Sequence, residues 1–139
     1  MKIHESAENY LEAILVLSQN KTEVRSIDVA NYMNFSKPSV SVAMKQLRQN
    51  GYIQMDANGF LTLLPAGREI AEMIYERHCV IAKILMALGV DEEIAFADAC
   101  KIEHVVSPQS FACMKAHYDR FSNCLLYTSD AADDLIGVD

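Results

Sequence analysis

Residues 26–63 constrain the fold more than any other stretch. Ser26 precedes Ile27-Asp28-Val29-Ala30-Asn31-Tyr32-Met33, an apolar-periodic run that predicts a short helix with Ser26 as its N-cap. Asn34-Phe35 interrupts it. Ser36-Lys37-Pro38-Ser39 then opens a second helix, with Ser36 as N-cap and Pro38 in the first turn, where a missing N–H costs little. Val40, Ala43, Met44 and Leu47 follow at helical spacing. Two short helices joined by a tight polar turn form a helix-turn-helix pattern. Asn50-Gly51 ends the second helix. Tyr52-Ile53-Gln54-Met55 and Phe60-Leu61-Thr62-Leu63 then flank Asp56-Ala57-Asn58-Gly59, which reads as a β-hairpin. Helix, turn, helix, hairpin is the order of a winged helix; the competing reading is a three-helix domain with a structural hairpin.

Around this stretch the chain is helical. Residues 5–18 predict a first helix, with Ser6 as N-cap and Tyr10, Leu11, Ile14, Leu15 and Leu17 as its apolar stripe. Glu8 and Glu12 sit one turn apart on it, with Asn9 between. The plain reading of that acidity is complementation of the helix dipole. Pro65-Ala66-Gly67 starts a long helix reaching about Leu88, where Gly89 stops it. Asp91-Glu92-Glu93 opens another, which carries Cys100 to His104 and ends near Ser107-Pro108. Pro108 begins a last helix through about Phe121.

The expected class is therefore mainly α with a small β-hairpin wing. A winged helix-turn-helix domain is expected at 1–64 and a helical domain at 65–123, with 124–139 a tail of uncertain origin that continues no earlier pattern. The three later helices have more apolar surface than some fifty residues can hide, which calls for a second copy of the chain.

Charge sharpens the reading. The 139 residues carry a formal net charge of -7, which argues against sequence-blind coating of nucleic acid. Between residues 21 and 50, however, five basic side chains (Lys21, Arg25, Lys37, Lys45, Arg48) face two acidic ones (Glu23, Asp28). Such a corner suits phosphate contacts. With Val40, Met44 and Leu47 turned inward, Lys37, Ser39, Ser41 and Lys45 face out. Ser39 and Ser41 are the candidates for base edges, Lys37 and Lys45 for phosphates, and Ser36 and Pro38 belong to the same reading segment. No apolar run approaches the ~18 residues of a membrane span, and Met1-Lys2-Ile3-His4-Glu5 does not read as a signal peptide, so a cytoplasmic protein without membrane contact is expected. In that compartment Cys79, Cys100, Cys113 and Cys124 are expected to be thiols.

On a helix, Cys100, Glu103 and His104 would share an arc of roughly 100°. Thiolate, carboxylate and imidazole together suit a borderline divalent ion such as Fe(II), Mn(II), Co(II) or Zn(II). The same spacing also suits an amphipathic helix with a buried Cys and a solvated Glu-His pair. His78, alone in its helix, is by itself more typical of a satisfied histidine than of a ligand. Two other functions compete: a winged-helix regulator answering to a small organic ligand or partner, with the Cys/Glu/His cluster structural, and a metallohydrolase. No evident acid/base pair or substrate cleft supports the second, and an enzyme is not expected.

As a set, Glu8-Asn9-Tyr10-Leu11-Glu12, Ser36-Lys37-Pro38-Ser39-Val40-Ser41, Leu64-Pro65-Ala66-Gly67-Arg68, Glu76-Arg77-His78, Leu88-Gly89-Val90-Asp91 and Cys100-Lys101-Ile102-Glu103-His104-Val105 resemble the diphtheria toxin repressor family of metal-dependent transcriptional repressors, from about residue 4 to 121. The resemblance implies a winged-helix DNA-binding domain and a helical dimerisation domain. It further implies a double-stranded DNA operator, a homodimer, Fe(II) or Mn(II) as cofactor, and metal ligands at Asn9, Glu12, His78, Cys100, Glu103 and His104. The sequence is a hybrid of two branches. The manganese-sensing branch usually has Asp at the Asn9 position and Glu at Cys100; the iron-sensing branch shares the Cys but usually has Met at Asn9. That branch's second ligand set falls here on Ala82 and Phe96, which cannot coordinate, and its third, SH3-like domain is expected to be absent. A thiolate at Cys100 favours Fe(II) over Mn(II) relative to an all-oxygen and nitrogen set.

Overall fold

A computed structural model describes residues 5–120. The elements run α1 (Glu5–Asn20), α2 (Ser26–Met33), α3 (Lys37–Gln49), β1 (Ile53–Met55), β2 (Leu61–Leu63), α4 (Pro65–Ala87), α5 (Glu92–Ile102) and α6 (108–120). Two compact units divide between Glu76 and Arg77, within α4 and not at its start. The expected tail at 124–139 lies outside the described residues, as does Cys124.

In the first unit, α1 supplies Leu11 and Ile14, α2 Val29, α3 Val40, Met44 and Leu47, and the hairpin Ile53, Leu61 and Leu63 to one core, joined by Ala71 from α4. Burying these side chains follows from their 3.6-residue and two-residue spacings. Tyr10 meets Phe35 edge-on at 5.9 Å, which fixes α1 against the turn between α2 and α3. The cap of α2 differs from expectation: Ser26 is already helical and Arg25 holds the cap position. The Asp28 carboxylate takes over the expected role by accepting the Arg25 N–H at 2.8 Å, and Lys21 Nζ pairs with it at 2.9 Å. These partners, the backbone N–H first, hold the Asp28 carboxyl below its usual range. Likewise Ser6 lies inside α1, which includes Glu5.

Ser36 does cap α3, accepting the Ser39 N–H at 3.3 Å, with Pro38 in the first turn. The hairpin is antiparallel with Ile53 opposite Leu63 and Met55 opposite Leu61. Its turn is built by Asp56, whose Oδ1 accepts the N–H groups of Asn58 and Phe60 at 2.9 Å each, and by Gly59 at φ 85°. The Leu61 N–H donates to Val24 O at 2.7 Å, which ties the wing to the segment ahead of α2.

The second unit holds the rest of α4 with α5 and α6. Gly89, at φ 105°, closes α4: its N–H donates to Met86 O and that of Val90 to Leu85 O, both at 3.0 Å. That pair of bonds is a Schellman motif. Ser107 caps α6 by accepting the Ser110 N–H at 3.1 Å, and Pro108 takes the first helical position. Ile81, Ala82 and Ala99 form a small core here, flanked by Leu85, Met86, Ile102, Val106 and Met114. Leu88, Ile94 and Val105 stay exposed, which is the expected apolar surplus. Among the described residues no helix is long and apolar enough to cross a membrane.

Candidate metal centre and DNA-reading helix

Helix α5 ends earlier than its sequence pattern implies. Glu103 is its C-cap and residues 103–105 form a turn, so His104 lies beyond the last helical residue. Glu103 nevertheless keeps helical dihedrals (φ -58°, ψ -25°), and its N–H donates to Ala99 O. It therefore stays on the face that carries Cys100. Across from them His78 projects from α4. His78 Nδ1 is 3.0 Å from Glu103 Oε1 and 3.7 Å from Cys100 Sγ. His104 Nε2 comes within 3.4 Å of Glu103 Oε2. Phe96, one turn before Cys100 on α5, stacks on the His78 imidazole with centroids 5.5 Å apart and planes at 18°.

In the second unit His78 thus lies close to both Glu103 and Cys100, and His104 lies close to Glu103. Asn9 and Glu12 sit half-buried on α1 in the first unit. Cys79, Cys100 and Cys113 are free thiols, and Cys100 is exposed.

Glu103 decides what this cluster is suited for. Its side chain is fully buried. Among the described residues its Oε2 has no hydrogen-bond partner, because the approach of His104 at 3.4 Å lacks bonding geometry. A buried carboxylate oxygen without a donor costs several kcal/mol unless a cation compensates it. His78 is within reach of the Cys100 thiol and of this carboxylate, and His104 of the carboxylate. Thiol, imidazole and carboxylate are donors that fit a borderline divalent metal. The proton on His78 marks the same electrostatic pull. Cys100 first and Glu103 second raise its pKa from 6.5 to about 10, against the opposing effect of partial burial.

On α3, Lys37, Pro38, Ser39, Ser41 and Lys45 are all exposed, and so is Ser36 ahead of it. Sequence reasoning passed over Val42, which is 58% exposed on the same outward face. Its signal was available: two residues beyond the buried Val40, it lies nearly opposite the inward stripe. An exposed apolar side chain there suits contact with a thymine methyl group. Arg25 lies over the Phe60 ring at 4.5 Å, which fixes one cation of the basic corner to the base of the wing.

Two family descriptions match: "Iron dependent repressor, N-terminal DNA binding domain" over residues 2–59 and "Iron dependent repressor, metal binding and dimerisation domain" over residues 64–126. The chain belongs to the diphtheria toxin repressor family. Among relatives, the transcriptional regulator MntR of Salmonella typhimurium is 36% identical over 106 residues, covering 76% of this chain and 68% of its own. An uncharacterised HTH-type transcriptional regulator of Methanocaldococcus jannaschii is 31% identical over 121 residues, covering 86% of this chain and 97% of that protein. The solved manganese regulator SloR matches with a TM-score of 0.73 at 25% identity over 86% of this chain and 55% of that one. A manganese-dependent transcriptional repressor in complex with manganese matches with a TM-score of 0.74 at 25% identity over 80% and 51%. This family member therefore spans about half the length of those two solved regulators. Of the positions that hold a second ligand set in the iron-sensing branch, Ala82 is wholly buried in the small core and Phe96 is the ring stacked on His78.

Proposed function

We propose that the chain is a metal-responsive transcriptional repressor that binds a double-stranded DNA operator as a homodimer in the cytoplasm, without catalysis. The observation that carries this reading is the fully buried Glu103, with one oxygen on His78 and the other lacking a hydrogen-bond donor, beside Cys100 and His104. His78, Cys100, Glu103 and His104 hold the metal, and Asn9 and Glu12 of α1 complete the set. Fe(II) or Mn(II) supplies a divalent charge that these donors share, and the Cys100 thiolate moves the preference toward Fe(II). Joining α1 to the α4 and α5 donors restricts the freedom between the reading half and the dimer half. One separation of the paired recognition helices is thereby selected, about 34 Å for successive major grooves. In each copy Ser39, Ser41 and Val42 meet base edges, while Lys37 and Lys45 hold phosphates and Ser36 and Pro38 set the start of the helix. Operator affinity of the purified protein should be high with Fe(II) or Mn(II) and low with chelator. Equal affinity in both conditions would end the proposal.

Metal loading should also be coupled to pH. Below about 10 the metal-free His78 carries a proton that ligation must displace. Apparent metal affinity should therefore rise at least about tenfold per pH unit between roughly 6 and 8, His78 releasing one proton per site and the Cys100 thiol adding its own as it becomes a thiolate ligand. Calorimetry in two buffers of different ionisation enthalpy counts the protons released. The same pairing stabilises the metal-free fold fully below pH 6.5, and that contribution is lost as pH climbs toward about 10.

A further inference from the structure

Arg77 is buried, at 7% exposure, one residue before His78 on α4. Its guanidinium lies 5.4 Å from the centre of the Phe111 ring on α6. Its NH1 group donates to Glu103 O at 3.1 Å and to Val106 O at 2.6 Å. Its Nε is buried and has no hydrogen-bond partner among the described residues.

A buried guanidinium is a costly way to fill space. An apolar side chain of similar length would pack against Phe111 without leaving an N–H unpaired. What Arg77 supplies is a pair of charge-assisted bonds to backbone carbonyls just past the end of α5, where helical partners run out. Those carbonyls bracket the turn that carries Glu103 and His104. Adjacent residues of α4 thus grip one residue from two sides, Arg77 by its backbone and His78 by its carboxylate.

We propose that Arg77 is a positioning residue of the metal centre, clamping the 103–106 turn so that the Glu103 carboxylate is aimed before any ion arrives. It touches no ligand atom; it acts through the backbone of one. The inference rests on the proposed metal site, and the experiment separates the two. Wild-type chain, Arg77→Met and Arg77→Lys are each titrated with Mn(II), and the bound ion is followed by electron paramagnetic resonance. Hydrogen exchange of residues 103–106 is measured in the metal-free proteins.

Loss of a partner behind the ligands should weaken Mn(II) binding by about 10- to 100-fold in Arg77→Met, with a changed resonance line shape and faster exchange in the turn. Arg77→Lys, which keeps the charge and a single donor nitrogen without the planar fork, should recover part of the affinity. Where Arg77→Met fails to fold, the Lys variant decides alone: wild-type affinity and line shape in it overturn the proposal. So does a folded Met variant that binds Mn(II) as the wild type does, or one whose affinity falls while exchange of 103–106 is unchanged. A wild-type chain that binds no Mn(II), Fe(II) or other divalent ion removes the metal site itself, and the positioning role with it.

Discussion

Gly67→Ala should unfold the first unit more readily than any exposed substitution. A Cβ at Gly67 would overlap Tyr52 O and lie 2.9 Å from Tyr52 C, both backbone atoms. That carbonyl is held in place because it accepts the Leu64 N–H at 3.0 Å. No side chain can swing aside, so α4 must shift bodily off the end of the hairpin. The shift would disturb Ala71, which belongs to the same core as Leu11, Met44 and Ile53. Overpacking costs typically 1–3 kcal/mol, and an unyielding backbone neighbour places this case at the upper end, about 3 kcal/mol. For a unit of this size that corresponds to a fall in thermal midpoint on the order of 10 °C or more. Ala66→Ser, one residue earlier and exposed, should stay within about 0.5 kcal/mol. Urea unfolding of both variants measures the contrast, and equal midpoints would show that the α4 start is not seated as described.

The helix-turn-helix and wing were legible because local chemistry and burial agree there. Ser36 and Pro38 mark the start of α3, Val40, Met44 and Leu47 keep one face, and Asp56 to Gly59 have the side chains their turn requires. The expected boundaries failed where a partner outside the local window took over. Asp28, three residues on, satisfies the N–H of Arg25, so Ser26 is not needed as a cap. The end of α5 was misplaced by a similar cause. Periodicity continues through His104, but at the turn of 103–105 the Glu103 carbonyl is served by Arg77, 26 residues back. Spacing could not show that, because a lone Arg between Glu76 and His78 reads as an ordinary solvated charge. His78 had the same ambiguity. Nothing within α4 marks it as a ligand, and only its meeting with Glu103 and Cys100 in the fold gives it chemistry. Its place in the proposed ligand set comes from the family resemblance, not from periodicity.

Glu103→Gln should abolish the metal response while changing the stability of the metal-free fold little. The two shapes are nearly the same, and a glutamine carbonyl can still accept from His78 Nδ1 in place of Oε1. What is lost is a negative charge that is fully buried, one oxygen of which has no hydrogen-bond donor among the described residues. Replacing that oxygen by an amide removes the burial cost of the charge and, with it, the pairing with protonated His78. The two losses oppose each other, so unfolding of the chelated protein should need about the same urea. Metal affinity depends on the same charge. A neutral amide holds a divalent ion less tightly than a carboxylate does, and operator affinity should no longer gain the roughly 5- to 150-fold that a coupling free energy of 1–3 kcal/mol provides. His78 should also lose its proton at lower pH, since one of the two groups that raise its pKa is gone. A lost response at nearly unchanged stability distinguishes a site kept for binding from one kept for packing. If Glu103 were structural, Gln would weaken the metal-free fold and leave operator binding insensitive to metal in both proteins. Parallel urea and operator titrations of wild type and variant, with Mn(II) and with chelator, separate these outcomes.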